Sequence, residues 1–359
     1  MARVLVLSNA SLYGGAEVSL ETLTPYLLSG EHQYQFIVHH PQHKENLIAQ
    51  GVLLQDIIVF KKWRKGIPWN LFLFIRSLWT FKPNCIFSNS REGSLYIYLL
   101  SLFYPLRRYK IVVYIRDFTC PSYVLRKLKQ AIFLIPSQAV QEKREYSKWL
   151  SSSRTFILPD PICMPSENIY SEKKQCLLYP TSFIPWKGLE YALYAFSKLE
   201  KADMKLIFIG KKVDSAYYHK IKVIIQKLGL EQRVEIHSFA NNLEEYYRQA
   251  LCVINTSISE QGGPETFGRT LIEAWSHKKP VIAFDCGGPK YIVEDEKNGL
   301  LVPEKDIDAL AKAIETLLSS PKLRTYMGQY GFESVLKNYD ATSIAPQLEA
   351  FFESAVTEN

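Results

Sequence analysis

Short apolar runs alternate with stretches of helical periodicity along this chain, and the alternation occurs twice. In the first half, strand-like runs fall at 4–7, 35–39, 85–88, 110–115, 131–136 and 155–158. Between them, 17–28, 69–80, 95–103 and 139–150 repeat apolar residues with a helical period. The second half predicts strands at 176–179, 205–209, 234–237, 252–255, 280–284 and 300–302, and helices at 189–199, 216–228, 243–249, 266–276, 290–293 and 306–318. Repeated strand–helix order favours parallel sheets covered by helices on both faces. Two such series predict two doubly wound α/β domains facing a central cleft. Ligands of such sheets bind beyond the carboxyl ends of the strands.

A stretch rich in Pro, Ser and charge at 159–174 reads as the linker, separating a domain at 1–165 from one at 170–339. Residues 1–165 hold 20 Lys/Arg against 10 Asp/Glu, and the remainder 23 against 26. A basic first half beside a slightly acidic second half implies different partners. No run of 18 apolar residues occurs, so no membrane-spanning helix is expected. The N-terminus enters a strand without a signal-peptide pattern, and the six cysteines are scattered without zinc spacing. These features predict a cytoplasmic protein with reduced thiols.

The stretch from Gly262 to Trp275 carries the most chemistry. Glu265 and Glu273 stand eight positions apart across a helix start, with glycines on both sides of the first. A helix N-terminus with bare backbone offers N–H groups and a positive dipole end to phosphate. Eight helical residues span roughly 12 Å. That suits a ligand with a diphosphate in the middle and hydroxyl-rich sugars at its ends; the alternative is a capped surface helix. In the first half, the loop Ser8 to Glu17 puts Gly14 and Gly15 between the first strand and the first helix, where backbone can approach a ligand. It lacks the G-x-G-x-x-G pattern of a dinucleotide site.

Pro264-Glu265-Thr266-Phe267-Gly268-Arg269 with Ile272-Glu273-Ala274 resembles the Glu-x7-Glu signature of the retaining family 4 glycosyltransferases. Pro280 to Pro289 and Asn298 to Pro303 are similar to the family's next strands and glycine turn. The resemblance implies the GT-B fold, two doubly wound Rossmann-like domains, with the last helix (340–359) packed back on the first. It implies transfer of a sugar, with retention, from a nucleotide-diphosphate sugar to a saccharide or lipid-linked acceptor, in work such as surface-polysaccharide assembly. It also implies no metal and no cofactor. By resemblance, Glu273 meets the ribose and Glu265 the sugar. Thr266, Phe267 and Gly268 donate backbone N–H groups, and Gly14 and Gly15 lie near the donor. Lys187, in Trp186-Lys187-Gly188, falls on the family's diphosphate-binding lysine. Gly210 ends the next strand and Phe239 passes near the base.

Two positions depart from the family. Ser182 stands where an arginine usually meets the diphosphate, and Arg269 or another cation could substitute. No histidine follows the fourth strand of the first domain; Tyr114 or Arg116 holds that position. Arg116 is then a candidate to orient a phosphate or hydroxyl, with Asp117 holding it or contacting the acceptor. A degenerate, non-catalytic nucleotide-sugar-binding subunit and a GT-B nucleotide-sugar epimerase are the rival readings. His39, His40 and His43 cluster in what reads as a loop around Pro41, and a metal there is not favoured. Lys61, Lys62, Trp63, Arg64 and Lys65 precede an apolar stretch, suiting an anionic membrane surface, to which Arg107–Lys110 could add. No nucleic-acid motif accompanies these basic runs.

Overall fold

The structure is a computed structural model and describes residues 1–165, 176–200, 203–238, 243–260 and 262–357. The chain divides into two compact units, Met1–Cys163 with Tyr339–Asn359, and Met164–Asn338.

The first unit is built on seven parallel strands: β1 (Arg3–Ser8), β2 (Gln33–Val38), β3 (Ile57–Val59), β4 (Cys85–Ser88), β5 (Lys110–Tyr114), β6 (Ile132–Ile135) and β7 (Thr155–Ile157). Their order in the sheet is β3-β2-β1-β4-β5-β6-β7. The order reverses at β1 and β4, the switch point where such sheets take ligands. Both faces are covered, so the central strands are buried on both sides and read as unbroken apolar runs. Helix Ala341–Thr357 closes one face. Its Ile344, Leu348 and Phe352 join the core beneath β1, β2 and β4, and the Phe352 ring lies 5.4 Å from that of Phe87.

The second unit has six parallel strands: β8 (Cys176–Pro180), β9 (Lys205–Gly210), β10 (Val234–Ser238), β11 (Ala250–Asn255), β12 (Val281–Phe284) and β13 (Gly299–Val302), ordered β10-β9-β8-β11-β12-β13. Its switch point lies at β8 and β11. Both units are therefore Rossmann-like.

Several elements differ from the sequence reading. β3, three residues at the sheet edge, is absent from the sequence reading. The histidine loop is a helix, Pro41–Ala49, with Pro41 in its first turn where a missing N–H costs nothing. His40 caps it, and His43 is buried between Glu21 Oε1 at 2.5 Å and Ser8 Oγ at 2.9 Å. Helix Pro321–Asn338 was not predicted because Gly328 and Gly331 interrupt its pattern. Packing demands them: a Cβ at Gly328 would lie 2.0 Å from the Lys278 carbonyl oxygen, and one at Gly331 2.3 Å from Trp275 Cδ1. The predicted helix 266–276 begins only at Arg269, after Gly268 at φ 107°. Glu265 thus lies in a loop, and a helical rise does not measure its separation from Glu273.

Candidate functional site

In the second unit, the turns after β8, β11 and β12 converge at the carboxyl ends of the strands. Near the end of β8 stands Tyr179, whose buried hydroxyl donates to the Lys187 carbonyl and accepts from Thr256 N–H at 3.0 Å. One side chain therefore ties the turn after β8 to the loop after β11. Gly188, at φ 61°, makes the approach possible, since a Cβ there would meet the Thr256 carbonyl oxygen at 2.3 Å. Ile258 N–H donates to Trp186 O at 2.8 Å and closes the same junction.

This frame brings Lys187 and Glu265 together. Lys187 Nζ is ion-paired to Glu265 Oε1 and lies 4.2 Å from the Trp186 ring centroid. Ser257 Oγ at 3.2 Å and Asn255 Nδ2 at 3.3 Å donate to the same carboxylate oxygen. Burial alone raises the pKa of Glu265. Lys187, Asn255 and Ser257 outweigh it and hold the carboxyl below its ordinary range. Glu265 is therefore a carboxylate at neutral pH, with an ammonium beside it.

The loop carrying Glu265 rests on the glycines after β12. Gly288 N–H donates to Glu265 O at 2.7 Å. A Cβ on Gly288 would fall 2.3 Å from Phe267 Cα, and Gly287 sits at φ 58°. Phe267 is buried, so Thr266–Gly268 cross these glycines as a packed segment leading into helix Arg269–Ser276. On that helix Glu273 is held from both sides, by Arg269 Nε at 3.0 Å and by the Tyr247 hydroxyl at 2.7 Å. Arg269 is thereby engaged with Glu273. Gly210 is glycine for packing: a Cβ would lie 1.7 Å from the Thr181 carbonyl oxygen. Phe239 lies outside the described residues.

A separate buried polar cluster sits at the carboxyl ends of β1, β4 and β5 in the first unit. Gly14 N–H donates to Glu17 Oε2 at 2.9 Å. Gly14 itself is extended, and a Cβ there would touch nothing nearer than 3.8 Å. Gly15 opens helix Gly15–Ser29. Glu17 is buried, which raises its pKa. Asn89 donates to Ser8 Oγ at 3.2 Å and to the Ala16 carbonyl at 3.0 Å, and accepts from Arg116 Nε at 3.1 Å. Arg116 also stacks 3.5 Å over the Tyr114 ring.

Asp117 does not hold Arg116. Its Oδ1 accepts from Thr119 N–H at 2.7 Å and Thr119 Oγ1 at 2.6 Å, and the carboxylate paired with Arg116 is Asp160. The side chain next in sequence caps a turn, while the loop after β7 brings in the distant partner.

Lys61 and Lys62 lie just beyond the carboxyl end of β3, leading into helix Trp63–Thr80. That helix exposes Trp69, Phe72 and Trp79 on one face, with Lys61 Nζ 5.0 Å from the Trp69 ring centroid. The side chains of Trp63, Arg64 and Lys65 lie outside the described structure. Arg107–Lys110 do not extend this patch. Arg107–Tyr109 precede β5 and Lys110 opens it, at the amino end of the same parallel sheet, because each helical crossover returns the chain there.

The residues of these two clusters not singled out from the sequence are Tyr179, Asn255, Ser257, Tyr247, Glu17 and Asn89. Polar residues directly after apolar strands (Asn255-Thr256-Ser257, Ser88-Asn89-Ser90) were the available signal. No described helix is long and apolar enough to cross a membrane.

Residues 165–334 match the family model described as glycosyl transferases group 1. The chain is 26% identical over 184 residues to the putative glycosyltransferase EpsD of Bacillus subtilis, covering 51% of this chain and 46% of that one. It is 29% identical over 174 residues to the poly(ribitol-phosphate) alpha-N-acetylglucosaminyltransferase of Staphylococcus aureus, covering 48% of this chain and 34% of that one. Such matches span about half or less of the length of most of these curated relatives. Among solved structures, Anabaena HepE in complex with UDP-glucose is similar over 99% of this chain and 100% of its own, with a TM-score of 0.83 and 20% identity. The fold is GT-B, and the resemblance to GT-B glycosyltransferases is borne out.

Proposed function

We propose that this chain is a retaining, family 4-type glycosyltransferase. It moves a sugar from a nucleotide-diphosphate sugar onto a saccharide or lipid-linked acceptor in polysaccharide biosynthesis. The observation that carries the reading is the Lys187–Glu265 pair, assembled where the turns after β8, β11 and β12 converge.

In this reading Lys187 neutralises charge on the leaving diphosphate, and Glu265 accepts hydrogen bonds from the sugar hydroxyls. A fixed ammonium beside a carboxylate gives both charges without reorganisation when the donor bond breaks. Glu273, oriented by Tyr247 and Arg269, accepts from the ribose. Backbone N–H groups of Thr266–Gly268 complete the donor contacts. Arg269 is engaged on Glu273, and Lys211 is a second candidate for the cation absent at Ser182, its backbone being joined to Phe183 N–H at 2.9 Å. Arg116 serves the acceptor side, Gly14 and Gly15 lie near the donor, and Asp117 positions the turn through Thr119. No metal takes part.

HepE binds UDP-glucose, so UDP-sugars are the first donors to test. Membrane contact is proposed through Lys61, Lys62 and the exposed Trp69, Phe72 and Trp79. The test is a screen of UDP-, GDP- and ADP-sugars by thermal shift and slow donor hydrolysis. One donor that stabilises and is hydrolysed supports the proposal. Stabilisation without hydrolysis points to a binding subunit, and no response removes the donor site.

A further inference from the structure

A cavity of about 640 Å³ opens in the first unit at the amino ends of β5 and β6. Lys110 is the first residue of β5, Ile132 the first of β6, and Arg154 immediately precedes β7; all three line it. Arg116 and the glycine loop lie at the other end of the same sheet, roughly 16 Å away by the rise of β5. The cavity is therefore not part of the site described above.

Every charged residue of its described lining is Lys or Arg. Arg107, Arg108, Arg126, Lys127 and Lys129 contribute to the wall, and among the described residues no Asp or Glu does. Arg126 and Lys127 form the last turn of helix Ser122–Lys127, where the helix dipole favours cations. That accounts for two of the charges and leaves the rest. Arg108 is held in place: its guanidinium carbon lies 5.0 Å from the Tyr109 ring centroid and 5.4 Å from that of Tyr104, and it donates to the Tyr104 hydroxyl. Cations gathered around a concavity repel one another unless an anion joins them, and they concentrate anions from solution. Guanidinium forks match phosphate oxygens in pairs.

We propose that this cavity binds anions carrying two or more phosphate groups, taken either from a soluble oligophosphate or from neighbouring phospholipid headgroups. The inference does not depend on the transferase reading.

The test uses the full chain and two probes. Inorganic tripolyphosphate is titrated by calorimetry. Phosphatidylcholine vesicles containing phosphatidylglycerol are assayed by flotation against pure phosphatidylcholine vesicles. Each is repeated with the Arg107→Gln/Arg126→Gln/Lys127→Gln/Lys129→Gln variant and with Lys222→Gln/Lys227→Gln, two exposed lysines of helix Ser215–Lys227 in the second unit. The four cavity positions are exposed, so the thermal midpoint of the first variant should match that of the native chain. At least one probe is expected to bind the native chain, to bind the cavity variant at least about tenfold more weakly, and to bind the lysine variant unchanged. Loss with tripolyphosphate assigns the soluble source, and loss with vesicles alone the headgroup. Raising salt from about 0.05 to about 0.5 M should suppress the binding. The proposal is overturned if neither probe binds, if the cavity variant binds as well as the native chain, or if both variants lose binding equally.

Discussion

Lys187 Nζ pairs with Glu265 Oε1, joining two turns 78 positions apart in the sequence. Each neutralises the other in a site where neither is fully solvated. Lys187→Ala strands a buried carboxylate and should cost about 2 kcal/mol of stability. Turnover should fall roughly 100- to 1,000-fold. In the double variant Lys187→Met/Glu265→Gln most of the stability should return, because neither charge is left unpaired. Turnover should stay at the floor. Urea unfolding and donor hydrolysis, run on the same preparations, check this; recovery of both together would make the pair purely structural.

Glu265 also gives a pH dependence. Its folded pKa lies below the ordinary value, so between the two values the unfolded chain binds more protons. The stabilisation is present above the unfolded value of roughly 4.3 and is lost as pH falls through the folded pKa. Urea midpoints measured from about pH 6 down to about pH 3 should fall more for the native chain than for Glu265→Gln. Parallel curves would mean that Glu265 gains nothing from its partners.

Glu273 is oriented by two groups with separable roles. Tyr247→Phe removes one buried hydrogen bond and should cost about 1 kcal/mol. Glu273→Gln should raise the donor KM about tenfold with a smaller change in kcat, the pattern of a ground-state contact. Steady-state kinetics against donor concentration distinguish this from a loss in kcat alone.

Two glycines chosen for opposite reasons test the loops. Gly288→Ala forces a Cβ into the Phe267 backbone and should destabilise by about 1–3 kcal/mol while weakening donor binding. Gly14→Ala meets no atom nearer than 3.8 Å and should leave the thermal midpoint nearly unchanged. A drop in turnover in Gly14→Ala therefore reports a ligand contact. Normal turnover there removes Gly14 from the site.

Much of the fold was legible because parallel strands buried on both faces must be apolar along their length. Most strands carry such a run; the edge strands β7 and β10, only partly buried, carry a weaker one, and β3, three residues at an edge, is missed. Lys187 and Glu265 were each found by motif, yet their pairing was not, since nothing local links them. Arg116 shows the same limit: Asp117 is its neighbour in sequence, but Asp160, 44 positions on, is its partner. Tyr247 and Tyr179 stand in a helix and a strand with their rings buried, and only the fold reveals what their hydroxyls reach. Pro41 was read as a loop marker although a first helical turn tolerates it equally.

The most direct test of the donor site is equilibrium binding of UDP, GDP and ADP to the native chain and to Lys187→Ala. The account predicts that one nucleoside diphosphate binds the native chain and binds the variant at least about tenfold more weakly, the loss of one charge-assisted phosphate contact. Equal affinity for both proteins would contradict it and move the diphosphate away from Lys187.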